Sequence, residues 1–265
     1  KRQELDLPSV ISAIADSQAS RAPSDLDGQA VALHYLGETF FWSGEFTAAA
    51  ETFTTCARLR EELGMHFFEA HALLNLATVA LHAGKTEEAL EKARLADAVM
   101  AKPGAAHSAV YATLFAAHIA LSEGEHRRAQ QLYENLLVAG RLPEVDRQRM
   151  SCEAGFGIAR LVLGEHDDAE HYLIRALETA VDRRELPPAL LALYGMADLF
   201  AAQGESQRAG IHYALAASQP LATASRWFEQ LANQRAKLRR PVQPATWTVE
   251  DFWATAGEYC DAGTA

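Results

Sequence analysis

A chain of 265 residues with 49 % apolar and 22 % charged residues has the balance of a folded protein, and its net charge of −11 argues against nucleic acid, which is held mainly by Lys and Arg on phosphates. No run of 18 apolar residues spans a bilayer, no signal-peptide-like apolar stretch follows the polar segment Lys1–Leu7, and Cys56, Cys152 and Cys260 contain no CxxC pair and make no disulfide framework. The expected setting is a reducing cytoplasm, and a chain that starts at Lys1 rather than methionine is expected to be a piece of a longer one.

Alanine and leucine dominate, and both lose little freedom in a helix. The first predicted helix covers 8–21, within an N-terminal capping segment of residues 1–24. Ten helices in five pairs follow: 27–43 with 46–63, 66–83 with 86–100, 105–123 with 126–139, 143–163 with 166–183, and 187–203 with 206–218. Each pair is joined at a glycine, and Gly44, Gly84, Gly124, Gly164 and Gly204 stand 40 residues apart. Around them run further columns. Ala49, Ala89, Ala129, Ala169 and Ala209 lie five residues after the glycine. Gly37, Ala77, Ala117, Gly157 and Ala197 lie seven before it, and Phe53, Ala93, Tyr133, Leu173 and Tyr213 nine after. Physically, the glycine stops the first helix with φ > 0, and the small residues let the second helix approach. The larger residue fills the remaining gap. Such a hairpin cannot bury its own apolar face and must stack on a neighbour. Pro103, Pro143, Pro187, Pro188 and Pro220 punctuate the turns between pairs.

After the repeats, 222–239 is predicted as one helix within a C-terminal capping segment, 219–240. Its charged end, Arg235, Lys237, Arg239 and Arg240, reads as a helix C-terminus favoured by the dipole. Residues 241–265 are predicted to be a linker followed by a helix over 248–260. Trp247, Phe252 and Trp253 there either cap the last unit or join a neighbouring domain or protomer.

Leu36, Gly37, Phe40, Gly44, Ala49 and Phe53 together resemble the tetratricopeptide pattern, and four further units repeat it less fully across roughly Asp25 to Ala217. The 40-residue period exceeds the usual ~34. It is similar to the longer-helix subtype in the C-terminal sensor arms of bacterial signal-transducing ATPases and maltose-regulator-type transcription factors, and the tail is similar to the region closing those arms. The resemblance implies an all-α, right-handed α-α superhelix of five hairpins.

Sequence motifs for chemistry are absent. There is no GxxxxGK[ST], GxSxG or HExxH. His166 with Glu170, or Asp167 with His171, could share a helix face as metal ligands, but acidic residues at a helix start suit the dipole without a metal. Cys56 sits in a column otherwise filled by Ala96, Leu136, Ala176 and Ala216 and reads as a small core residue. No cofactor, metal or catalytic residue is expected.

The resemblance implies that the first helix of each pair lines a concave groove, in rows thirteen, ten, six and two residues before each glycine. Four of the ten histidines fall on these 20 positions, where an even spread would place fewer than one. This puts the candidate binding site on His34, Glu38, Trp42, His71, Thr78, His82, Tyr111 and His118. Aromatic and imidazole groups in a concavity suit a peptide or small ligand, and imidazoles near their usual pKa would respond to mild acid; alternatively, these side chains fill the floor of a closed groove. No Lys, Arg or Asn occupies a row, which disfavours clamps for a terminal carboxylate or a peptide backbone. The expected function is a non-catalytic protein-, peptide- or ligand-binding domain, the sensor or interaction arm of a bacterial regulatory protein. The alternative is a scaffold that self-associates through the C-terminal aromatics without a small ligand.

Overall fold

A computed structural model describes residues 25–101, 110–140, 142, 147–234 and 252–257, and every regular element among these residues is α-helical. In chain order they are α1 (Leu26–Trp42), α2 (Phe46–Glu62), α3 (His66–His82), α4 (Thr86–Met100), α5 (Val110–Ser122), α6 (His126–Val138), α7 (Arg147–Val162), α8 (His166–Arg183), α9 (Leu186–Ala202), α10 (Ser206–Ala217), α11 (Pro220–Ala224) and α12 (Arg226–Gln234). A short helical stretch covers 252–257. No helix among the described residues is long and apolar enough to cross a membrane.

The five hairpin turns share one hydrogen-bond scheme. All five glycines have φ between 78° and 88°. In the first turn Glu45 N–H donates to Phe40 C=O at 2.9 Å and Gly44 N–H to Phe41 C=O at 3.0 Å. The outer bond recurs as Lys85 to Ala80, Glu125 to Ala120, Glu165 to Arg160 and Glu205 to Phe200. This Schellman closure satisfies orphan carbonyls and needs a left-handed residue, which only glycine supplies without strain. The turn between α8 and α9 closes the same way, with Glu185 N–H on Ala180 C=O at 2.9 Å. There the left-handed position belongs to Arg184, at φ 56°.

The column chemistry shows directly in the packing. Ala49, Ala89, Ala129 and Ala169 have no exposed surface. A Cβ added at Gly37 would lie 2.7 Å from the Phe53 ring, and one at Gly157 would lie 2.8 Å from Leu173 and 3.0 Å from the Ala169 carbonyl. The small residue of the first helix is therefore the seat of the large residue of the second. Successive hairpins interlock by the same device, since a Cβ at Gly155 would strike the Tyr133 hydroxyl and one at Gly195 would strike Leu173.

Among the described residues the helix bounds follow the sequence expectation closely over α1–α10, the expected starts at 105 and 143 lying outside those residues, with one correction after them. The single helix expected over 222–239 is two, because Ser225 is extended, with ψ 116°. Its hydroxyl then accepts from Phe228 N–H at 3.1 Å and starts α12 as a cap. The expected capping helix of 1–24, and most of the linker and tail from 235 onward, lie outside the described residues.

The chain divides into two compact units, 1–115 and 116–265, with the boundary inside α5. In the first unit α1 to α4 pack consecutively. In the second, α6 to α10 pack in the same order, and α7 also packs on α9, the first helix of the following hairpin.

Candidate functional site

The first unit carries an open cleft of about 240 Å³. One face of α1 supplies Val31, His34 and Tyr35, and the first turns of α3 supply Phe67, Phe68 and His71. Cys56 and Arg60, one turn apart on α2, complete the lining. Through Cys56 the cleft adjoins a core cluster that includes Ala30, Leu33, Ala57, Leu59 and Ala72. Tyr35, Phe67 and Phe68 are 57 %, 54 % and 48 % exposed, so three aromatic side chains on neighbouring hairpins face solvent together. Contiguous exposure of that kind marks a contact surface, whereas scattered exposed apolar residues are ordinary.

Arg60 is the lining residue with a permanent charge, and only 5 % of it is exposed. Its guanidinium carbon lies over the Phe68 ring, 4.9 Å from the centroid. Nη1 donates to Asp27 and, at 3.2 Å, to Met65 Sδ. The Cys56 thiol donates to the Ala30 carbonyl at 3.3 Å. Burial pushes its pKa up, and the neighbouring Arg60 opposes the shift only in part. Cys56 is thus the small buried residue that its column suggests, held as a neutral thiol.

Of the eight residues expected to form the site, His34 and His71 line the cleft. His71 packs against Phe67 with the rings tilted, 4.7 Å between centroids, and His34 meets Tyr35 edge-on at 5.6 Å. His34 Nε2 lies 3.8 Å from Glu38, which is itself buried. Trp42 is half-buried, and its indole N–H has no hydrogen-bond partner among the described residues. Thr78 turns its hydroxyl onto the Leu74 carbonyl of its own helix, at 2.9 Å. His82 is 2 % exposed and packs edge-on against Phe41. Tyr111 is half-buried at the start of α5, where its N–H donates to Asp97 Oδ1 at 3.1 Å.

His118 belongs to the second unit and is buried. Its Nδ1 shares a 2.6 Å hydrogen bond with the Tyr133 hydroxyl. Burial lowers its pKa to about 3, so mild acid leaves it neutral. The cause of burial is α12. Trp227 lies edge-on to His118 at 5.1 Å, and its indole N–H donates to the His118 carbonyl at 3.2 Å. Phe228 beside it packs on Tyr194 at 5.4 Å. Residues in two of the expected groove rows, on α5 and α9, are thus occupied by the chain's own helix. The adjacent Asp198, 1 % exposed, accepts a hydrogen bond from Tyr213.

Sequence reasoning did not include Tyr35, Phe67, Phe68 or Arg60. The first three lie just outside the chosen rows, and Arg60 is on a second helix. Their columns carry a signal. The pair seventeen and sixteen residues before the glycine is Asp27-Gly28, His107-Ser108, Arg147-Gln148 or Pro187-Pro188 elsewhere, and Phe67-Phe68 here. Arg60 shares its column with Met100, Gly140, Ala180 and Pro220.

Among the described residues no group of three His, Cys, Asp or Glu is placed to hold a metal ion. Phe252 is fully buried and Trp253 half-buried, whereas Trp247 lies outside the described residues. In comparisons with known proteins, no family model and no curated protein matches the chain.

Proposed function

We propose that this chain is a non-catalytic helical-repeat binding domain, of the tetratricopeptide kind that its sequence pattern resembles, whose contact surface is the aromatic cleft of its first unit. The observation that carries the reading is the joint exposure of Tyr35, Phe67 and Phe68 around a lined cleft. Burying such side chains on a ligand gains roughly 25 cal/mol per Å², and aromatic residues are common anchors of binding energy. A sensor or interaction arm of a bacterial regulatory protein is the role that fits this surface together with the 40-residue period. The test is a fluorine-detected screen of the full chain against monocyclic aromatic fragments and short peptides. Hits should lose their line broadening with the Phe67→Ala/Phe68→Ala variant. Hits that persist unchanged would refute the reading.

The same exposed aromatics favour a second reading, self-association as a scaffold. Sedimentation velocity separates the two, because a concentration-dependent dimer that vanishes in the Phe67→Ala/Phe68→Ala variant would assign the surface to a second copy.

A further inference from the structure

The cleft combines apolar walls with one oriented cation, and that combination selects a ligand. We propose that it accepts a small monocarboxylate bearing one aromatic ring or branched apolar chain. Arg60 meets the carboxylate, while Tyr35, Phe67 and Phe68 hold the apolar part. The proposal rests on the reading of the cleft as the binding surface.

Size sets the first limit. About 240 Å³ lies below the roughly 300–1,000 Å³ of sites for drug-sized ligands, so the occupant has about the dimensions of a single amino acid. Charge sets the second. Arg60 is more than nine-tenths buried, and its orientation is fixed by Phe68, Asp27 and Met65. With Arg60 Cζ 4.9 Å from the Phe68 centroid, the charge sits over the ring face as a cation–π contact. Nη1 donates to Asp27 and Met65 Sδ and the guanidinium also interacts with the Cys56 thiol, so a ligand carboxylate entering the cleft shares the guanidinium fork with Asp27. Asp27, whose side chain is 60 % exposed, holds the guanidinium from the Nη1 side.

The competing ligand chemistries fit less well. A dianionic phosphate would meet one arginine, the neighbouring Asp27 carboxylate and a chain of net charge −11. A cation caged by the three aromatic rings would be repelled by Arg60, which already lies over Phe68.

The experiment is calorimetry on the full chain with 3-phenylpropanoate and its uncharged analogue 3-phenylpropanamide. The acid should bind at least about tenfold more tightly than the amide, as expected for a charge-assisted pair. Arg60→Met should remove that preference, and Phe67→Ala should weaken both probes. Arg60 is buried, so its variant is checked by thermal melting. Asp27→Asn supplies an independent arm at an exposed position, because removing the neighbouring carboxylate should tighten the acid and leave the amide unchanged. Equal affinities in the parent chain, an acid preference that survives Arg60→Met, or no binding of either probe at millimolar concentration overturns the proposal. If the amide binds as well as the acid and both lose affinity with Phe67→Ala, the carboxylate assignment fails while the cleft stands. If fragments also ignore Phe67→Ala/Phe68→Ala, both fail.

Discussion

Single residues show where the repeat keeps to its rule and where it departs from it. Arg184 takes the left-handed position that glycine holds in all five hairpin turns, at φ 56°. A side chain there is strained, and Arg184→Gly should stabilise the chain by about 0.5–1 kcal/mol despite the added freedom of the unfolded state. A lower melting temperature for that variant would show that the strain is relieved elsewhere. His118 gives the opposite kind of departure, a polar group kept neutral by burial. Its folded pKa lies below the ordinary unfolded value near 6.5, so its contribution to stability is complete above that value and lost as pH falls toward about 3. Between pH 7.5 and 5 the loss should reach about 2 kcal/mol. His212, also lowered by burial, acts in the same direction. Urea melts at pH 7.5, 6 and 5 should show stability falling, with His118→Gln flattening the slope; stability that holds or rises on acidification would contradict this. The imidazole was visible in the sequence as a groove-row residue. Its burial was not, because the side chains that cover it, Trp227 and Tyr133, are 109 and 15 residues away.

At the scale of elements, the sequence was most legible where one physical requirement recurs. Five glycines with positive φ and five alanines at close helix contacts define ten helices, because both follow from local geometry. Ala129 shows how tight the constraint is. It is fully buried in α6, and its N–H donates to the Glu125 carbonyl at 2.9 Å. Ala129→Phe should cost roughly 1–3 kcal/mol through overpacking. The same change at exposed Glu91 should leave stability nearly unaltered, and equal melting temperatures would show that the repeat register is misassigned. The C-terminal elements were less legible. Pro220 marked a start, but nothing local announced that Ser225 would end one helix and cap the next. The amphipathic pattern of α12, with Trp227, Phe228, Leu231 and Ala232 buried and Arg226, Glu229, Gln230 and Asn233 exposed, predicts a helix with an apolar face. It does not say that the face lies on α5 and α9.

For the molecule as a whole, the two units differ in what their first helices present. In the second unit, His118 and Tyr194 are covered by α12. In the first, His34 and His71 open onto a cleft walled by Tyr35, Phe67 and Phe68. The expectation of aromatic and imidazole side chains on first helices pointed to this neighbourhood. It did not reach Phe67 and Phe68, which lie at the start of α3 and beyond the rows considered, nor Arg60 on α2, because a cleft between three helices draws on faces that a single-helix row does not sample. The central claim is that recognition takes place in the first unit, and the most direct measurement is a backbone amide chemical-shift map of the full chain titrated with a mixture of monocyclic aromatic fragments. The account predicts that the perturbed amides cluster at residues 31–35, 56–60 and 67–71, and that they fall silent with Phe67→Ala/Phe68→Ala. Perturbations centred on Tyr194, Trp227 and Phe228, or spread evenly along the chain, would contradict it.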